Sequence, residues 1–259
     1  GDSMLIAIVT PAYDGRVHDD HARSIDAGRS ALIRDGHKVI RLCLTGDAVL
    51  PRVRNQCVAE ALARGAERIV MVDSDIGFDP PALQRLLSHD VGIVGAAPQA
   101  QLRSWRDAAN PRCVWRPFPG DAVTDDNGLV EAAGLATGFL AVKAEVFRDL
   151  VRHGLAKRYI YPGIAPTAWP HLAAYFDYEL APATMSEDLK RQCREVGVDD
   201  EAPLYWEGED YYFCKRAREI GFASYLDATV GVRHWEGRLK HDFSVPEMMA
   251  MTAEQVAAE

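Results

Sequence analysis

The chain has 259 residues, 48% of them hydrophobic, which allows one large α/β domain or two small ones with a full core and excludes a disordered chain. Its 38 acidic and 29 basic residues leave a net charge of -9. That balance excludes broad charge-driven binding to nucleic acid, while a local basic pocket for a phosphorylated small molecule stays possible.

In chain order, LIAIVT (5–10) reads as a strand ended by Pro11. ARSIDAGRSALIRDG (22–36) has helical spacing and a terminal Gly, and KVIRLCL (38–44) is the next strand. PRVRNQCVAEALARG (51–65) opens on Pro and closes on Gly, with an apolar stripe of Val53, Cys57 and Ala61. ERIVMVDSD follows as a strand, and Asp79 is the expected N-cap of a helix with Leu83, Leu86 and Leu87 inward. VGIVGA (91–96) completes a βαβαβαβ pattern, which predicts an α/β fold with a mixed, mostly parallel sheet flanked by helices. Ligands bind such sheets at the carboxyl ends of the strands.

Beyond residue 100 the pattern changes. RCVWRPF (112–118) and GLVEAAGLATGFLAVKAEVF (128–147) read as partly antiparallel strands, with a helix starting near Ala144. Residues 155–206 read as an irregular, aromatic loop. EDYYFCKRAREIG (209–221) is a helix, SYLDATVGVRHW (224–235) a last strand, and the tail from 236 a docking helix or a frayed end.

Five cysteines at 43, 57, 113, 193 and 214 contain no CxxC pair, so a cytoplasmic, reducing location is expected. No apolar run approaches the roughly 20 residues of a membrane span, and no basic region precedes a long apolar stretch at the N-terminus. P-loop, dinucleotide-binding and nucleophile-elbow motifs are absent. What stands out is VMVDSD, an apolar strand running into Asp73 and Asp75. Two close carboxylates repel unless a cation lies between them, and hard Mg2+ or Mn2+ ions bridge such oxygens to phosphates. The plain alternative is a solvated turn. Arg54 and Asn55 open a helix, where an anion can bind or where surface residues simply lie. Gly138 permits close backbone approach or marks a bulge. Glu209 and Asp210 either complement a helix dipole or present a general base. His234 is either structural or a metal ligand.

The ordered set TPAYDG, PRVRN, VMVDSDIGF, ATGFLAVKAEVF, EDYYFCKRAREIGF and VRHWEG resembles glycosyltransferases of the GT-A fold, the family-2-like group, over about residues 4–237. The resemblance implies a single Rossmann-like GT-A domain over 4–237, followed by a tail over 238–259. Within that domain it implies a nucleotide-binding half (4–100) and an acceptor and catalytic half (101–237) that includes the 155–206 loop. It implies non-processive, metal-dependent transfer of a sugar from a nucleotide-diphosphate sugar, UDP- or GDP-linked, to a hydroxyl of a saccharide or other acceptor. Inversion is favoured over retention.

The resemblance assigns Thr10, Pro11, Ala12, Tyr13, Arg54, Asn55 and Asp73 to the nucleotide. Asp75, Asp73 and His234 would hold Mn2+ or Mg2+, and Gly138, Phe139 and Trp206 would lie at the acceptor. Asp210 is the first choice of base and Glu209 the second. Aromatics of the loop, among them Tyr161, Trp169, Tyr175, Phe176 and Trp206, would close over the donor or stack on sugars. No QxxRW motif is present, which argues against a processive synthase. Alternatives are a sugar-nucleotide nucleotidyltransferase, although the loop after the first strand is poor in Gly, or a non-catalytic nucleotide- or sugar-binding module.

Overall fold

The structure, a computed structural model, describes residues 3–100, 112–120, 123–182, 187–198 and 204–241. The N-terminal half alternates as expected: β1 (Leu5–Pro11), α1 (Asp19–Arg34), β2 (Lys38–Leu44), α2 (Leu50–Ala63), β3 (Arg68–Val72), a short β4 (Ile76–Gly77), α3 (Pro80–Ser88) and β5 (Ile93–Gly95). Helices α1 and α2 stop where the sequence places glycine: Gly36 and Gly65 follow them with φ of 91° and 78°, a backbone that a side chain would strain.

The second half adds β6 (Trp115–Pro117), β7 (Leu129–Leu135), β8 (Phe139–Lys143), α4 (Ala144–Arg152), a 3-10 turn (Pro166–His171), β9 (Glu179–Pro182) and α5 (Glu187–Glu195). It ends with β10 (Leu204–Glu207), α6 (Glu209–Glu219), β11 (Ser224–Asp227), β12 (Arg233–Glu236) and β13 (Leu239–His241). Eight strands form the main sheet in the order β2-β1-β3-β8-β5-β11-β7-β6. All run one way except β8 and β7, so the sheet is mixed and mostly parallel in direction.

Alternation along β1 builds a three-layer core. Ile6 and Ile8 pack on one face with Ile25 and Leu32 of α1 and Leu83 and Leu86 of α3. Ala7 and Val9 pack on the other with Cys57 and Val58 of α2 and Phe213 of α6. Both faces are therefore covered, as an apolar run without polar alternation requires.

Two expectations need correction. The 155–206 segment is not wholly irregular: β9 and β10 pair as an antiparallel ribbon, and α5 lies between them in the chain. The last strand is two strands, because a turn after Asp227 takes the chain from the main sheet to a small sheet of order β13-β12-β4. Of the tail, residues 242–259 lie outside the described residues. Asp79 does stand at the N-cap of α3, but its side chain makes no cap bond and pairs with Arg233 at 2.9 Å instead.

Candidate active site

The carboxyl ends of β1, β3 and β5 lie at one end of the sheet, together with the Gly138 turn that opens β8. Helix α2 runs against β1, and most of its residues are buried, Arg54 among them at 3% exposure. An unpaired guanidinium cannot be kept there. Arg54 forks onto Asp73, Nη1 to Oδ1 at 2.8 Å and Nη2 to Oδ2 at 3.2 Å, and its Nε reaches Glu209 Oε1 at 3.3 Å. Burial works against its charge, but Asp73, Glu209 and Asp210 outweigh that and hold it more firmly protonated than usual. The fork joins three distant elements, α2, the end of β3 and the start of α6. The backbone N–H of Asp73 donates to the Gly138 carbonyl at 3.1 Å.

Asp75 turns the other way. Its Oδ2 lies 3.3 Å from His234 Nε2, its side chain is 39% exposed, and its carbonyl accepts from the Trp235 N–H at 2.9 Å. His234 Nδ1 faces the Gln99 carbonyl at 2.8 Å, so Nε2 is the ring nitrogen turned to Asp75. Burial lowers the pKa of His234, yet Asp75 and the Gln99 carbonyl outweigh it and the net shift is upward. The two acids of DSD thus avoid repulsion by diverging, one onto Arg54 and the other beside His234.

The turn itself is gripped by the start of α1. His18 N–H donates to the Ser74 carbonyl at 2.8 Å, and the His18 ring stacks on Trp235 at 4.3 Å. Asp20 takes a two-point bond from Arg233 at 2.8 and 3.1 Å and another from Trp235 Nε1 at 2.8 Å. A methyl group at Gly77 would fall 2.0 Å from Asp20 Oδ2, so only glycine fits beneath this clamp. His21 is wholly buried, and burial lowers its pKa. In the neutral ring Nδ1 donates to the Ile76 carbonyl at 3.2 Å, and Nε2 accepts from the Thr10 hydroxyl at 3.3 Å.

Asp210 follows Glu209 at the start of α6. No ion pair ties it among the described residues, and its Oδ1 accepts the Tyr211 N–H at 2.8 Å. Burial, and then the charge of Glu209, push its pKa up to about 6. A carboxyl with that pKa can hold or release a proton near neutrality.

The other expected residues are distributed as follows. Thr10 is buried against His21 and Ala12 is buried, whereas Pro11 is half-buried and Tyr13 is exposed. Phe139 corrects the expectation of an acceptor contact: its ring is wholly buried and stacks on Phe78 at 4.6 Å, so it packs the core. Gly138 lies under the DSD turn, where an added Cβ would make ordinary contact with Asp73 at 3.5 Å. Tyr175 and Phe176 are likewise core residues, around Phe147 and Phe213. Asn55 is buried and spent on the Phe176 peptide, Nδ2 to the carbonyl at 3.0 Å and Oδ1 from the N–H at 2.9 Å. It therefore ties down the aromatic segment rather than a nucleotide. Asn55→Ala strands both groups of that peptide, and chemical unfolding is expected to show a loss of about 2 kcal/mol or more.

Of the three residues expected to hold a metal, Asp75 and His234 converge. Asp73 does not join them, because both its oxygens are on Arg54. Among the described residues no group of three or more His, Cys, Asp or Glu side chains is placed to hold a metal. A Mg2+ or Mn2+ ion at a diphosphate commonly takes one or two protein ligands and fills the rest with phosphate oxygens and water, so this pair fits such an ion.

No protein-family model matches the chain, and no curated protein matches it. Among solved structures it is similar to A197 from STIV, with 13% identity and a TM-score of 0.45 over 94% of this chain and 92% of that one. It is also similar to a glycosyltransferase involved in the glycosylation of the major capsid of PBCV-1, with 13% identity and a TM-score of 0.33 over 63% and 71%. A third is a mannose-1-phosphate geranyltransferase from Thermus thermophilus, with 15% identity and a TM-score of 0.32 over 59% and 61%. Each is a remote likeness.

Two kinds of residue around the turn escaped the sequence reading. His18, Asp20 and His21 had a visible signal, the HDDH cluster at a helix start after β1. Arg233 had only its place beside His234. No described helix is long and apolar enough to cross a membrane.

Proposed function

We propose that this protein is a non-processive, cytoplasmic glycosyltransferase that moves a sugar from a nucleotide-diphosphate sugar to an acceptor hydroxyl. One observation carries the reading: the Asp75–His234 pair and the Arg54-anchored Asp73 lie at the carboxyl end of β3, and Asp210, a carboxyl of raised pKa, starts α6 next to Glu209, which Arg54 also holds. Pro11 and Tyr13, at the end of β1 and in the turn after it, would line the base and ribose. Asp75 and His234 would hold Mg2+ or Mn2+, which when bound offsets charge on the leaving diphosphate.

The chain's own chemistry is then simple. Asp210, ionised, takes the proton of the acceptor hydroxyl. That oxygen bonds to the anomeric carbon as the bond from the anomeric carbon to the diphosphate oxygen breaks, and the nucleoside diphosphate leaves with the electron pair. Attack from the face opposite the diphosphate inverts the centre, which favours inversion. Arg54 fixes Asp73 so that the turn does not swing when the donor leaves.

The test is release of free nucleoside diphosphate from UDP- and GDP-sugars with Mn2+, with and without pooled saccharide acceptors. Turnover that depends on Asp210 supports the transferase. Binding without turnover would assign a non-catalytic module instead.

A further inference from the structure

The two edges of the main sheet are built differently. β6 is three residues long, ends in Pro117 and slips register against β7, the marks of an edge closed to further pairing. β2, at the other edge, runs for seven residues without Pro or bulge, and all seven pair with β1. The ladder fixes its phase. Lys38 donates its N–H to the Met4 carbonyl at 2.9 Å, and the Leu44 carbonyl accepts from Ala12 at 2.8 Å, so the even-numbered residues turn to β1. The N–H and C=O groups of Val39, Arg41 and Cys43 therefore point outward, and no group among the described residues bonds them.

A groove of about 440 Å³ opens along this edge. It is lined by residues 41–45 on the strand side, by the loop of Gly163 and Ala165, and by Gln56, Glu60 and Arg64, a row one turn apart along α2. Its charge is specific. β2 carries two bases and no acid. Alternation puts Arg41 on the α1 face of the sheet, where Asp26 lies 3.5 Å away and is 73% exposed. It puts the exposed Lys38 on the α2 face, the side from which Arg64 comes. The acid in the groove, Glu60, is already engaged by Arg64 and by the Ala165 N–H at 3.3 Å.

We propose that β2 is a docking edge for a partner protein that adds an extended, acidic strand to the sheet. Such a strand satisfies the outward N–H and C=O groups, and its carboxylates meet Lys38, Arg41 and Arg64. Basic residues on an edge guard it against indiscriminate pairing, and the same charges select a strand of opposite sign. They also disfavour a second copy of this chain: β2 against β2 sets basic strand on basic strand, between molecules that each carry -9. The inference is independent of the transferase reading, because β2 holds none of the residues assigned to the donor, the metal or the base.

The test uses the full chain and three fluorescent peptides, each with a Val-Thr-Val-Thr-Val centre flanked on both sides by paired Glu, paired Gln or paired Lys. The Glu peptide should bind about tenfold more tightly than the Lys peptide, and Arg41→Glu should weaken it about tenfold at an unchanged melting temperature. Amide hydrogen exchange should slow at Val39, Arg41 and Cys43 when the Glu peptide binds, and stay as it was at Ile40 and Leu42, which are already bonded to β1. A Glu peptide N-methylated at every residue keeps the charges without the ladder donors and should not bind. Arg41→Pro should abolish binding without unfolding the chain, because the Arg41 N–H points away from β1. Absence of binding by all three peptides, equal binding of the Glu and Lys peptides, or binding that survives N-methylation or Arg41→Pro overturns the proposal. Dimerisation in sedimentation velocity that Arg41→Pro abolishes also overturns it, by giving the edge to a second copy. Failure of the donor reading is separable: Asp75→Ala should leave peptide binding intact.

Discussion

Replacing Arg54 by Met should cost about 3–5 kcal/mol of folding stability, the cost of removing one partner from a buried ion pair. For a chain of this size that is a fall in melting temperature on the order of 10 °C. The cause is not lost packing, since Met fills much of the same volume. It is the carboxylates left behind: Asp73 and Glu209 converge on the guanidinium at 2.8 and 3.3 Å, and the Glu209 side chain is 11% exposed. Lys in place of Arg should recover only part of the loss, because a single ammonium cannot fork onto Asp73 while reaching Glu209. Adding Glu209→Gln to Arg54→Met should recover part of it by removing one stranded charge. A loss below about 1 kcal/mol for Arg54→Met would mean that the cluster behaves as a solvated surface pair.

Asp210→Asn should lower kcat by about 10²- to 10⁴-fold, the usual worth of a positioned base. It should also change the pH profile. The catalytic form is the carboxylate, and its pKa is raised to about 6. In the wild type kcat/KM should therefore be flat above about pH 7 and fall roughly tenfold per unit below about 6. Asn does not titrate, so that limb should vanish from the residual rate. The variant should melt no lower than the wild type at about pH 8, because the burial that raises the pKa also disfavours the charge Asn lacks. An unchanged pH limb in Asp210→Asn would assign the titration to another group.

The architecture was legible where local patterning decides it. Apolar runs and terminal Gly or Pro mark β1, β2 and α2 within about two residues, whereas α1 starts three residues before the predicted Ala22 and β3 ends before the acids. The end of β3 was legible too: two acids close a buried apolar run. What Arg54 and Asn55 do was not legible. Their partners Asp73, Glu209 and Phe176 lie 19, 155 and 121 residues away, and no local spacing encodes that. The family resemblance assigns both residues to the nucleotide, whereas their side chains hold the protein together. The β9–β10 ribbon was hidden because Pro182 and the residues flanking Leu204 break the expected alternation, and because its apolar side faces outward. Phe139 looked available beside Gly138, yet strand alternation turns its ring onto Phe78.

We propose above all that the Asp75–His234 end of the sheet binds a nucleoside diphosphate through a divalent ion. Thermal unfolding with UDP-, GDP-, CMP- and dTDP-sugars, each with Mn2+ and with EDTA, tests it most directly. Stabilisation by one nucleotide is expected, at least about 2.7 kcal/mol at a hundredfold excess over Kd, present with Mn2+ and abolished by EDTA and by Asp75→Ala. Melting curves that no nucleotide shifts, or a shift that persists in Asp75→Ala with EDTA, would contradict it.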